Sequence, residues 1–190
     1  KLGPPLLGCV ALPAVLNLAY RSHSLRRHLR LTDPGRLLRV QILVDMVILT
    51  LMLHFAGGLE NPFLFSYLFH VVIAGILLGK KDCYATTLVA VLLCSLMGAG
   101  EMTRVIDHAT LRLFPHEAEG EHAAWQPLFV GGRLLSFAGI LYGVAFFTVM
   151  MVGRLRSSQE QAHRSAERAN LARRHLEEVV DASGAGMMLI

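Results

Sequence analysis

The sequence predicts an all-α fold, a polytopic bundle of transmembrane helices followed by a cytoplasmic helix of coiled-coil type. Three observations carry that prediction. Apolar stretches long enough for a bilayer, roughly 17 to 25 residues, recur as far as Gly153. The composition is 54% hydrophobic and 17% charged, too apolar for a soluble domain of 190 residues. From Arg154 onward the chain changes abruptly to charged residues with alanine and leucine at helical spacing.

Five stretches pass the length test, at 4–20, 37–56, 62–79, 83–100 and 127–153. The first contains Pro13 and Asn17 and is too interrupted for the apolar region of a signal peptide. Its position near the chain start leads us to expect five spans here and six where a leading helix precedes them. Orientation follows from arginine and lysine, which are retained on the cytoplasmic side. Arg21, Arg26, Arg27, Arg30, Arg36 and Arg39 fill the first loop, Lys80 and Lys81 the third, and Arg154 and Arg156 follow the last span. The 57–63 turn and the 101–126 loop then lie on the outer side, and the C-terminus is cytoplasmic. In the outer loop Met102, Val105, Ile106, Leu111 and Phe114 approximate an apolar helix face that Pro115 ends, and Trp125 is placed as an interfacial anchor.

Basic residues clustered beside apolar segments explain the net charge of +4 as membrane flanks, so nucleic acid is excluded as a partner. Cys9, Cys83 and Cys94 have no CxxC spacing, which suggests neither a disulfide framework nor a zinc knuckle.

Between the second and third spans stands a polar turn, Gly57, Gly58, Leu59, Glu60, Asn61, Pro62 and Phe63. Two glycines free the backbone, and proline opens the next helix where its missing N–H costs nothing. Glu60 and Asn61 stand at the mouth of a helical hairpin, beside the free N–H groups of a helix start, as a dock for a polar head group. Phe63, Phe65, Tyr67 and Phe69 crowd the start of the third span, either to stack on a flat ring or as plain packing surface.

Ionisable groups inside spans cost about 2.5–3.5 kcal/mol for Asp, Lys or Arg at mid-helix, which marks each as a functional candidate. Asp45, with Gln41 one turn below, reads as an interhelical hydrogen bond or as a conformational switch. His54 and His70 are both expected in the outer half, where they could face each other. They stand open to three roles: hydrogen bonds to neighbouring helices, a hydrogen bond to a quinone carbonyl, or ligation of haem or a transition metal completed by His108, His116 or His122. Arg133 is the natural countercharge, for Glu60, Glu101 or an anionic ligand group.

Beyond the last span, Leu155, Ser158, Ala162, Ser165, Ala169, Ala172, Leu176 and Val179 fall on the a and d positions of a heptad. Leu155, Ala162, Ala169 and Leu176 define a weakly apolar seam, which predicts a homodimer held together with help from the membrane part. The helix is expected to end at Ser183 and Gly184, giving a membrane domain at 1–153, a signalling helix at 154–183 and the opening of a further domain at 184–190.

Leu53-His54-Phe55-Ala56-Gly57-Gly58-Leu59-Glu60-Asn61-Pro62-Phe63, followed by Phe69-His70-Val71-Val72, resembles the membrane region of the RegB/PrrB class of redox-responsive sensor histidine kinases. The GGxxNPF element of that family is matched by Gly57, Gly58, Asn61, Pro62 and Phe63. The resemblance covers about residues 37–153, and the stretch from Leu176 to Met187 looks like the opening of a PAS domain. It implies a multi-pass protein of the bacterial cytoplasmic membrane that binds ubiquinone or menaquinone at the 57–63 turn. It also implies a kinase core beyond Ile190 that addresses a response regulator. The family's redox-active cytoplasmic cysteine has no counterpart after Cys94, and neither a phosphoacceptor-histidine box nor a nucleotide-binding motif occurs in these 190 residues. Two other functions compete: a metal- or haem-binding sensor using His54 and His70, and a small transporter or membrane-embedded enzyme. Against transport stands the lack of an inverted repeat.

Overall fold

A computed structural model of the chain describes residues 33–106 and 126–187, those after 175 as helix backbone only. The expected first span at 4–20, its basic loop, and His108, His116, His122 and Trp125 lie outside the described residues. The chain divides into two units, Lys1–Val149 and Met150–Ile190.

Every element among the described residues is a helix. Helix α1, Pro34–Phe55, starts where Asp33 accepts from the backbone N–H groups of Gly35 and Arg36, with Pro34 in the first turn. Two 3-10 helices follow, Gly58–Glu60 and Pro62–Ser66, then α2, Tyr67–Leu77. Helix α3 is Lys80–Met102 and α4 is Pro127–Met187. Three of these, α1, α3 and α4, are long and apolar enough to cross a membrane.

The segment expected to cross at 62–79 is shorter, Pro62–Leu77, and opens in 3-10 form. Asn61 takes the Phe63 N–H on its side chain, which starts a tight turn in place of an α-helical one. Because a 3-10 residue rises further than an α-helical one, five of the former and eleven of the latter still reach about 26 Å. Helix α3 exceeds its expected bounds at both ends, so Glu101, expected in a loop, is helical.

The core of the first unit draws on all four helices. Met46 and Leu53 of α1, Tyr67, Val71 and Ala74 of α2, Cys83, Ala90 and Cys94 of α3, and Phe137, Leu141 and Ala145 of α4 are buried together. The opposite faces expose large apolar side chains such as Leu43, Leu51, Phe69, Leu96 and Phe146. Such an arrangement, apolar inside and out, is what a helix bundle shows when its solvent is lipid.

In the second unit every described residue from Gly153 to His175 is exposed, among them the seam residues Leu155, Ala162 and Ala169. The side chain of Leu176 lies outside the described residues. Backbone helix continues through Ser183 and Gly184 to Met187, past the end expected at those residues. Glycine weakens a helix but stops it only where it turns left-handed, and here the backbone stays helical.

Candidate functional site: the 57–63 turn and the groove beside it

Gly57 and Gly58 both take positive φ, 106° and 55°, a conformation that any other residue would strain to adopt. This pair of left-handed residues reverses the chain after α1. Asn61 then closes the turn with both ends of its amide. Its Nδ2 donates to the Ala56 carbonyl at 2.7 Å, and its Oδ1 accepts the Phe63 N–H at 2.8 Å. Buried and doubly bonded, the Asn61 side chain is a structural clasp, whereas the sequence placed it at the head-group dock.

The turn is also gripped from outside. The Leu59 side chain, 1% exposed, lies against Gly98 of α3, where an added Cβ would stand 2.6 Å from Leu59 Cδ1. A Cβ on Gly58 would collide with the Glu101 carboxylate. Arg133 of α4 donates from Nε to the Leu59 carbonyl at 3.1 Å. The sequence expected Arg133 as a countercharge; here its guanidinium holds the turn's backbone.

Glu101 meets His54. The imidazole Nδ1 donates to Oε1 at 2.9 Å, with the carboxylate side chain only 1% exposed. This burial was readable in part, because Cys83, Thr87, Ala90, Cys94, Met97 and Glu101 repeat at three- and four-residue spacing along the buried face of α3. Glu101 is the polar end of that stripe.

His70 belongs elsewhere. Thr50 of α1 and Tyr67 of α2 are hydrogen-bonded through their hydroxyls, which fixes the register of the antiparallel pair. His54 lies beyond Thr50 toward the turn and His70 beyond Tyr67 away from it, a separation of roughly seven residues of rise, about 10 Å. A shared metal ion would need both nitrogens about 2 Å from it, so the two histidines do not face each other as expected. His54 pairs with Glu101, whereas His70 and Asp45 both lie on the far side of the Thr50–Tyr67 bond from the turn. The Nδ1 of His70 is buried with no hydrogen-bond partner. Among the described residues no group of three or more His, Cys, Asp or Glu is placed to hold a metal ion, and His116 lies outside them.

Sequence reasoning overlooked a polar relay through the core. Thr50 Oγ1 donates to the Met46 carbonyl at 2.7 Å, so the Tyr67 hydroxyl must donate to Thr50. Cys94 of α3 is buried in the same core as Tyr67. Tyr67 also meets Phe137 edge-on, at 5.7 Å between ring centres. The signal was Thr50 and Tyr67, two hydroxyls in apolar runs on facing helices.

What the turn leaves open is apolar. Phe63 and Phe69 are each 71% exposed, and with Pro62, Phe65, Val72 and Val144 they line a groove between α2 and α4. Ser66 supplies a hydroxyl at its edge. Glu60 is half-buried beside the turn. The groove suits a flat apolar molecule lying along the hairpin, with aromatic rings to stack on. Comparison with protein-family models, curated proteins and solved structures gives no match for this chain.

Proposed function

We propose that this chain is the sensory and signal-transmitting membrane module of a bacterial sensor histidine kinase that responds to the redox state of quinone. The observation that carries the reading is the aromatic groove flanking a GGxxNPF turn whose own polar groups are already spent. In this proposal the quinone ring rests on Phe63 and Phe69, with Ser66 in reach of a ring oxygen and the isoprenoid tail running along Val72 into lipid. The turn sets the mouth of the groove and does not itself bind the head group. In this proposal α1, α3, α4 and the shorter Pro62–Leu77 segment cross the bacterial cytoplasmic membrane with the turn on the outer face, the roughly 26 Å of the last coming close to a hydrocarbon core of about 30 Å.

Signal leaves through α4. Quinone binds one arrangement of α2 and α4 better than the other and shifts the population toward it. A homodimer reads the shift through the helix after Met150, and a kinase core beyond Ile190 passes it to a response regulator. The test is saturable binding of a short-chain ubiquinone analogue to the purified chain. Phe69→Ala is expected to weaken binding roughly two- to tenfold, the worth of one aromatic stack. No saturable binding, or binding indifferent to both Phe63→Ala and Phe69→Ala, overturns the reading.

A further inference from the structure

A second groove lies between α1 and α3, at the end of the bundle away from the turn. Arg39 fixes its mouth, donating from Nε and Nη2 to the two carboxylate oxygens of Asp82 at 2.7 and 3.1 Å. Above this ion pair the two helices rise together. Met46 and Val89, each about 10 Å further along its helix than Arg39 and Asp82, line the same groove. The groove exists because α3 brings Ala85 and Thr86 to it, side chains too short to fill the space beside Ile42 and Met46, which are buried and form its floor. Leu43, 47% exposed, is one wall. The result is an apolar channel with one ionic end.

Charge at that end is unbalanced. Arg36 lies one helical turn before Arg39, and Lys81 one turn before Ala85, so both share the groove's side of their helices, and both are exposed. Lys80 is exposed beside them. Among the described residues the carboxylates there are Asp33, which caps α1 and stands 4.0 Å from the Arg36 guanidinium, and Asp82, which holds Arg39. Among the described residues, cations (Arg36, Arg39, Lys80, Lys81) therefore outnumber anions at the mouth of this apolar groove.

We infer that this groove seats one acyl chain of an anionic phospholipid, whose headgroup phosphate is held at the mouth by Arg36, Arg39 and Lys81. A neutral lipid would fill the channel but leave the excess positive charge unanswered. A second copy of the chain docking face to face would set the same basic cluster against itself, which like-charge repulsion opposes. The inference rests only on the bilayer part of the proposed function and is independent of quinone.

The experiment is lipid competition on the full chain. Delipidated protein in detergent is given equal amounts of phosphatidylglycerol and phosphatidylcholine with matched acyl chains, and native mass spectrometry reads what is retained. Wild type is expected to prefer phosphatidylglycerol at least about fivefold, the worth of one basic residue near the surface. Arg36→Gln with Lys81→Gln should abolish the preference, and Ala85→Phe should abolish retention. Should Ala85→Phe fail to fold, a bimane on Ala85→Cys should be quenched more by brominated phosphatidylglycerol than by brominated phosphatidylcholine. Equal retention of both lipids, full retention by folded Ala85→Phe, or equal quenching overturns the inference. So does disulfide formation between copies through Ala85→Cys, which would make a second copy the occupant.

Discussion

Glu101 and His54 form a hydrogen-bonded pair at 2.9 Å, the carboxylate fully buried and the imidazole largely so. Glu101→Ala is therefore expected to destabilise the bundle by about 1–3 kcal/mol, because the imidazole loses its acceptor without regaining water. His54→Ala should cost a similar amount. The double variant should cost clearly less than the sum, with a coupling of about 0.5–3 kcal/mol, and thermal unfolding in one detergent measures all corners of the cycle. Strict additivity would mean that the pair contributes nothing jointly. Leu59 and Gly98 form a second coupled pair, of shape instead of charge. Gly98→Val should cost about 1–3 kcal/mol by overpacking, and Leu59→Ala in the same chain should recover part of the loss, since it removes the atom a Cβ would strike.

Among the elements, the helix after Met150 has the least support of its own. Its described residues are exposed all round, and an isolated helix without a packed face is marginal in water. Pairing along Leu155, Ala162 and Ala169 would supply the missing face. In membranes, Ala162→Cys on that seam is expected to form an intermolecular disulfide, whereas Glu160→Cys on the opposite side should not; equal cross-linking at both would remove the heptad reading. The all-helical class, the start of α4 at Pro127 and the 57–63 turn were legible in the sequence, because proline, paired glycines and apolar length act locally, whereas α1 starts at Pro34, ahead of the expected Leu37. The pairing of side chains was not. His54 and His70 looked like neighbours when placed by distance from the turn alone. The Thr50–Tyr67 bond sets the register, and it carries His70 away from the turn while Glu101 arrives from α3 to take His54. The two bonds of Asn61 to its own turn were likewise not legible, since they depend on the backbone path that brings the Ala56 carbonyl and the Phe63 N–H to one short amide.

For the molecule as a whole, the question is how a change at the aromatic groove would reach α4. Val144 of α4 already lines the groove, and among the described residues two further contacts tie the hairpin to α4 nearer the turn. One is packing, in which Tyr67 and Phe65 of the hairpin meet Phe137 of α4 at 5.7 and 6.4 Å between ring centres. The other is a single hydrogen bond, from Arg133 of α4 to the Leu59 carbonyl. Packing contacts tolerate small slides, whereas a hydrogen bond weakens steeply once its angle or length departs from the optimum. If the turn and α4 move as two coupled bodies, the Arg133 bond is the contact whose loss should uncouple them with the least damage to the groove. Arg133→Gln is thus expected to leave affinity for a short-chain quinone within about twofold where the retained amide still reaches Leu59, and Arg133→Ala to reduce the kinase response to oxidised quinone several-fold. Coupling free energies of about 1–3 kcal/mol are typical of such systems, which sets the size of change to look for. On the proposed function, the measurement is autophosphorylation of a protein in which this chain is joined to a histidine-kinase core, with oxidised and reduced quinone, alongside binding to the same variants. Loss of binding in both variants would place Arg133 in the ligand site. Unchanged response in Arg133→Ala would assign the coupling to the Tyr67, Phe65 and Phe137 packing, and a Phe137→Leu variant would then be the one to lose it.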